Sequence, residues 1–375
     1  MASNGHAFLS ASAANRWLHC PPSARLSAKY KDITTEYAAE GTEAHALCEF
    51  KLRSALGEEA TCPIEAMERY SEEMEECAEG YVSFVMEELE AAKKLCKDPV
   101  VLVEERVDFS RWVKNGFGTA DAIVVADQVL SICDYKHGLG HVVDAFKNPQ
   151  LLCYALGALE IFEDFYDIDT IKMTIYQPRR SNVSSYEITR EELYKWAEEV
   201  LKPTADLAFS GSGKFLCGEW CSFCKVKHEC RARAEANLLL AQYDFKKPPL
   251  LEQTEIEEIL SKVEQFISWA NDVKDYALQQ AMSGKRWQGW KLVEGRAIRK
   301  YSSEAAVIKT VEEAGYEPYE KKLLGVTAMQ KLLGKQQFEE LLSRYISKPQ
   351  GKPTLVPESD KRPAMNTAVE DFNEN

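Results

Sequence analysis

An α/β protein with a mixed central sheet flanked by helices is what this sequence predicts, on three observations. Val100 to Val107, Gly118 to Ala126 and Val129 to Tyr135 are β-rich runs in close succession, and the gap at Asp127-Gln128 is short enough for a hairpin. Helical spacing brackets these runs, at 36–57 and 64–97 before them and at 146–163 after. Two further strand-like runs follow, Ile171 to Gln177 and Ser184 to Ile188.

Length and composition bound the rest. A chain of 375 residues suggests two or three domains. With 45% hydrophobic and 28% charged residues, wholesale disorder is excluded. No apolar run approaches the roughly 20 residues of a membrane span, and Met1 to Trp17 lacks the basic start and apolar core of a signal peptide. A cytoplasmic protein without membrane partners is therefore expected. The net charge of -14 excludes a protein that coats nucleic acid by bulk charge, but leaves room for an enzyme with one basic groove. The 11 cysteines are an odd number, and in a reducing cytoplasm they are free, catalytic or metal-binding.

Along the chain, residues 10–30 predict a short helix broken at Pro21 and Pro22. The 36–57 helix carries Gly41, His45 and Glu49, and the Glu-rich pattern of 64–97 presents a solvated acidic face. After the strands, a helix spans about 190–209, Gly211 to Gly213 form a break, and the cysteine-dense stretch 217–230 leads into an Ala/Leu-rich helix. Lys246 to Pro249 are expected as a linker, followed by a helix over 252–283 and a mixed region to 347. This divides the chain into 1–245, a C-terminal α+β accessory region at 246–348, and a proline-bearing extended or disordered tail at 349–375.

The strongest chemistry lies at 118–136. Gly118-Thr119-Ala120-Asp121 sits on one strand and Asp134-Tyr135-Lys136 ends the next, so adjacent antiparallel strands can bring Asp121 and Asp134 together. Asp134 and Lys136, two apart, share a side of the sheet. Two carboxylates beside a lysine suit Mg²⁺ or Mn²⁺ and a phosphodiester substrate, with the lysine holding the attacking hydroxide or stabilising pentavalent phosphorus. An isolated D-x-K is most simply a pair of strand-end charges; the surrounding residues change the odds. Upstream stands Gly41-Thr42-Glu43-Ala44-His45, and downstream Asn148-Pro149-Gln150 and Tyr154 open a helix. Glu105 on the first strand is either an outer contact of this site or a plain surface charge. His137 and His141 flank the turn Gly138-Leu139-Gly140, expected as a loop near the substrate rather than a zinc pair.

This order of elements resembles the RecB-like branch of the PD-(D/E)XK nuclease superfamily, whose motifs G-x-x-x-H, G-x-x-D, D-x-K and Q-x-x-x-Y all occur here in sequence across about 40–154. The resemblance implies a restriction-endonuclease-like core in which His45, Asp121 and Asp134 hold Mg²⁺ or Mn²⁺ and Lys136 is the catalytic lysine. It also implies that Gln150 and Tyr154 touch the DNA backbone or orient the site.

Cys221-x2-Cys224-x5-Cys230, after Trp220, is the second signal, because thiolates at this spacing converge on a soft metal. Cys217 and His228 are the nearby candidates for a fourth ligand. Trp17-Leu18-His19-Cys20-Pro21 resembles the early element of the AddB and CRISPR-adaptation nucleases, which clip a [4Fe-4S] cluster with one early cysteine and three late ones. The resemblance implies Cys20, Cys221, Cys224 and Cys230 as ligands. Zn²⁺ on the same four is the alternative, and Cys217 could replace Cys20 in a local zinc site. Cys48, Cys62, Cys77, Cys96, Cys133 and Cys153 are expected as small buried or half-buried residues.

Residues 284–363 carry 16 Lys/Arg against 10 Asp/Glu, so the acidic total hides a basic segment. There Lys285, Arg286, Trp287 and Lys291, with Trp290 and Arg296 to Lys300, interleave cations and aromatics. That suits DNA contact by neutralisation and stacking, or equally an amphipathic strand pair with buried tryptophans. The whole chain also looks similar to a phage and prophage family of RecB-like proteins encoded beside replication and recombination genes. The resemblance implies a metal-dependent DNA exonuclease acting on an end or single strand in a bacterial host, leaving 5′-phosphates, beside recombination or single-strand-binding proteins. The other reading is a catalytically silent DNA-binding or assembly subunit of the same fold.

Overall fold

β-Branched and apolar residues build five strands: β1 (Val100–Asp108), β2 (Phe117–Ala126), β3 (Gln128–Tyr135), β4 (Ile168–Gln177) and β5 (Asn182–Thr189). They form one mixed sheet in the order β1-β2-β3-β4-β5. The β1/β2, β2/β3 and β4/β5 pairs are antiparallel, and β3/β4 is parallel. A parallel pair requires a crossover, and α5 (Pro149–Phe162) supplies it, with Asn148 accepting from the Gln150 amide at its N-cap and Pro149 at its first position. This computed structural model describes residues 7–30, 35–239, 251–294, 301–319 and 323–347. The expected linker at 246–249, the cations at 296–300 and the tail at 349–375 lie outside them.

Both faces of the sheet are covered. Ile123, Val125, Leu130 and Ile132 pack with Leu151, Leu152, Leu156 and Leu159 of α5. Leu193 of α6 (Arg190–Trp196) and Ala205 of α7 (Lys202–Ser210) join that layer, the two helices being continuous through a π-turn at Ala197–Leu201. On the other face, Val103, Ala122, Val124, Cys133 and Tyr135 meet Leu47 and Leu52 of α3 (Glu36–Ala55), and Met74, Tyr81 and Val85 of α4 (Glu72–Ala92). Each fully buried Leu or Val contributes about 1.5–3 kcal/mol. The helix expected from residue 64 begins instead at Glu72, because the Ser71 hydroxyl caps the Met74 amide there and Ile64–Ala66 closes only a 3₁₀ turn.

The prolines at 21 and 22 split the N-terminal segment into α1 (Ala14–His19) and α2 (Pro22–Ser27), leaving Cys20 at the break. Trp17 is fully buried and donates from Nε1 to Ser10 O at 3.1 Å. Arg25 donates to Phe209 O at 2.6 Å. These contacts carry Cys20 to the end of α7, where the chain enters its cysteine-rich stretch. α8 (Arg231–Leu238) and α9 (Gln253–Met282) follow.

The chain divides into two compact units, Met1–Gln279 and Gln280–Asn375. The second holds α10 (Glu304–Glu313), α11 (Val326–Leu333) and α12 (Lys335–Leu342), with Phe338 buried. Among its described residues there are helices and irregular chain and no strand. Ser303 caps α10, and Gly334 at φ +74 turns α11 into α12, giving short amphipathic helices. Among the described residues no helix is long and apolar enough to cross a membrane.

Candidate active site

Strand register assembles the site. Val103 pairs with Ala122 and Glu105 with Ala120, which sets Glu104 opposite Asp121. Ala122 pairs with Cys133, and the same register continued by one step sets Asp121 opposite Asp134. Three carboxylates therefore stand in one row across β1, β2 and β3. α3 lowers His45 toward that row: its Nδ1 lies 3.3 Å from Asp121 Oδ1 and 4.0 Å from Glu104 Oε1. Ligand atoms of His45, Glu104 and Asp121 all lie within 4.8 Å of one another. Asp121 Oδ2 accepts from the Tyr135 amide at 2.7 Å, which fixes the carboxylate.

Asp134 lies outside that group of three. It is 1% exposed; its Oδ1 accepts from Gln150 Nε2 at 3.2 Å, and its Oδ2 lies 2.7 Å from the Lys136 ammonium. The ammonium is the charge partner of this buried oxygen, which has no other polar partner among the described residues. Gln150 Nε2 also donates to the Tyr154 hydroxyl at 3.0 Å. Tyr154 is buried in the core of α5, so it stands behind Gln150 and steadies it. Gly118 makes this possible: a Cβ there would lie 2.6 Å from Tyr154 Cε1.

Burial and charge set the protonation of the row. Burial opposes ionisation of Asp121, but the adjacent His45 and Lys136 hold its carboxyl below the usual range. Burial raises Asp134 despite the facing Lys136. Burial works against the charges of His45 and Lys136 too, yet Asp121 raises the imidazole and Asp134 the ammonium above their ordinary values. Burial, with the Asp121 charge, pushes Glu104 up to about 7. Two carboxylates and an imidazole this close could hold a divalent ion that takes oxygen and nitrogen ligands.

The sequence left Glu105 on β1 as either an outer contact or a plain surface charge; the residue at the site is its neighbour Glu104. Alternation along β1 puts adjacent side chains on opposite sides, and Glu104 has a left-handed backbone, φ +50, that no local pattern signals. The turn expected near the substrate is exposed from Gly138 to His141 but begins at a buried residue. His137 is 4% exposed, bonds the Tyr135 hydroxyl through Nδ1 at 2.8 Å and faces Glu40 at 3.6 Å. The following turn is pinned from beneath, where buried Gln177 donates to Gly138 O and His141 O.

Cys20, Cys217, Cys221, Cys224 and Cys230 line one cavity, together with Arg16, Trp220 and Arg233. The first signal missed from sequence is this pair of arginines, to which no spacing rule points. Among the described residues no three of these sulfurs lie within 4.8 Å of one another. Cys217, bonded to Cys221, is lowered to about 7, while that bond and burial raise Cys221. Of the scattered cysteines, Cys48, Cys77, Cys133 and Cys153 are buried and Cys96 half-buried as expected, but Cys62 is exposed.

Lys285, Arg286 and Lys291 are exposed and Trp287 is half-buried, in irregular chain of the second unit; the Lys285 ammonium lies 4.2 Å from the Trp287 ring centre. The expected strand pair does not form among the described residues there.

Two solved structures are remotely similar. One is a Eubacterium rectale protein provisionally named an exonuclease, at 12% identity over 58% of this chain and 86% of that one, with a TM-score of 0.34. The other is SSO0001, at 17% identity over 50% of this chain and 95% of that one, with a TM-score of 0.22. At these scores neither carries a conclusion about function, which rests on the site itself. The profile of a family described as protein of unknown function (DUF2800) matches residues 6–363, and the chain therefore belongs to the DUF2800 family.

Proposed function

We propose that this protein is a divalent-metal-dependent deoxyribonuclease that hydrolyses phosphodiesters from a DNA end and leaves 5′-phosphates, in phage recombination, replication or repair. The observation that carries the reading is the convergence of His45, Glu104 and Asp121 within 4.8 Å, in register with the Asp134–Lys136 pair. The residues fit an ion: two carboxylates and an imidazole, the donor set of a divalent cation, converge.

His45, Glu104 and Asp121 would hold Mg²⁺ or Mn²⁺, with Asp134 at the edge of the site. Bound there, the ion supplies Lewis-acid stabilisation of charge on the phosphoryl oxygens. Lys136 supplies a charged donor to the attacking water or to a non-bridging oxygen. Asp134 keeps that ammonium protonated and in place, and Gln150, steadied by Tyr154, fixes the other Asp134 oxygen. Attack on phosphorus breaks the bond to the 3′ oxygen, which leaves the phosphate on the 5′ side. Cys20, Cys221, Cys224 and Cys230 would hold a [4Fe-4S] cluster that ties α1 to the end of the sheet-bearing unit, with Zn²⁺ as the alternative. Lys285, Arg286, Trp287 and Lys291 would add backbone contacts to DNA.

The test is an assay on end-labelled linear DNA, with Mg²⁺ or Mn²⁺ against EDTA, using anaerobically purified wild type beside Lys136→Ala. Metal-dependent degradation lost in the variant is expected, and the order of label release gives polarity. A folded, metal-supplied wild type that leaves single- and double-stranded DNA intact would overturn the reading in favour of a silent binding subunit.

A further inference from the structure

Two guanidinium groups line the five-cysteine cavity, and the protein's own anions do not account for them. Arg16 donates from Nη1 to Ser23 O at 2.9 Å, Ser23 Oγ at 3.2 Å and Ser27 Oγ at 2.9 Å. All three acceptors are neutral, and among the described residues no carboxylate lies within 4.0 Å of it. Ser27 Oγ in turn lies 3.9 Å from Cys224 Sγ, so the Arg16 network ends on a thiol. Arg233 is 5% exposed and pairs with Asp272 of α9 at 2.6 Å, but Lys227 claims the other oxygen of Asp272 at 2.8 Å. Three cations, Arg16, Arg233 and Lys227, thus stand along a wall of thiols, and Asp272, shared by Arg233 and Lys227, balances only one of them. If the thiols stayed protonated, two positive charges would be left over in a site that disfavours unpaired charge.

Four thiolates on a doubly charged core carry two negative charges, which matches that surplus. We propose that Arg16 and Arg233 are built-in counter-cations of a dianionic thiolate-bound centre in this cavity, with Asp272 positioning Arg233 from α9. The inference rests on the cluster part of the proposed function and assigns work to residues that ligate nothing. It makes the empty and the loaded protein respond oppositely to the same substitution. With the centre empty, the cavity wall carries surplus positive charge, and neutralising either arginine reduces that surplus. With the centre loaded, the same substitution strips the thiolates of a partner and frees the metal.

The experiment compares Arg16→Gln with Arg16→Lys, and Arg233→Gln with Arg233→Lys, so that each pair differs in charge while both members lack the guanidinium fork. Each protein is reconstituted anaerobically with iron and sulfide, or with Zn²⁺, and assayed for metal per chain, for release to a chelator and for melting temperature with and without metal. In the loaded state the Lys variants retain metal several-fold longer than the Gln variants. In the metal-free state the order reverses, and the Gln variants melt higher. Gln and Lys variants that rank alike in both states, or a Gln variant that releases metal at the wild-type rate, would show that these arginines are only structural and overturn the proposal. A wild type that takes up neither iron–sulfur nor zinc would overturn the cluster reading itself, an outcome read before any variant is made.

Discussion

Removing the Lys136 side chain should make stability depend on pH in a way the wild type does not. Asp134 is 1% exposed, and Lys136 at 2.7 Å is its compensating charge. In Lys136→Ala the carboxylate must stay charged and unpaired, at about 3–5 kcal/mol, or take up a proton. Protonation from an ordinary unfolded carboxyl costs about 1.4 kcal/mol for each pH unit above about 3.9, hence roughly 4 kcal/mol at pH 7. The cheaper route sets the loss, so the ceiling at neutral pH is about 4 kcal/mol. The sign follows from the direction of the shift. The Asp134 carboxyl is already raised in the fold, and removing the ammonium raises it further. A raised group favours the folded state at low pH, and that advantage is lost as pH climbs toward the folded value. The variant should therefore be nearly as stable as wild type at pH 4 and fall progressively behind toward pH 8. Urea denaturation in EDTA at several pH values measures this, with Asp134→Asn/Lys136→Ala as the control that abolishes the dependence. A difference between Lys136→Ala and wild type that is flat with pH would refute the claim that Lys136 compensates a buried Asp134.

Three further predictions follow from the same geometry. Glu104→Gln, which removes a ligand, should weaken Mn²⁺ binding by more than the roughly 10–100-fold lost when only a ligand's supporting partner is removed, while Glu105→Gln leaves it unchanged, by calorimetry or Mn²⁺ resonance. Because ligands bind metal deprotonated and Glu104 is pushed up to about 7, Mn²⁺ affinity of the wild type should rise between pH 6 and pH 8, and that rise should be smaller in Glu104→Gln. Gly118→Ala should cost about 1–3 kcal/mol because its Cβ meets the Tyr154 ring at 2.6 Å, whereas Gly41→Ala, with nothing within 4 Å of its Cβ, should gain roughly 0.5–1 kcal/mol in thermal or urea denaturation.

The elements were legible where local chemistry decides them. Three β-rich runs became β1, β2 and β3 with shifts of a residue or two at their ends, and Asn148-Pro149 opened α5 where a capping residue and proline should. Legibility failed where the signal was non-local or balanced. The acidic run from 64 looked like one helix until the Ser71 cap set its start.

The sequence by itself determined which side chains stand available: His45 on a helix, Asp121 and Asp134 on neighbouring strands, Lys136 two residues on, and the thiols of a late cysteine run. These follow from periodicity, which is a property of a few adjacent residues. Tertiary structure alone decided who meets whom. Cross-strand register selected Glu104 over Glu105, burial turned Tyr154 into a support for Gln150, and the closing of α1 and α9 over the cysteine stretch brought Arg16, Arg233 and Asp272 to the thiols. Register and burial are fixed by packing between segments far apart in the chain, and no window of sequence contains both sides of such a contact.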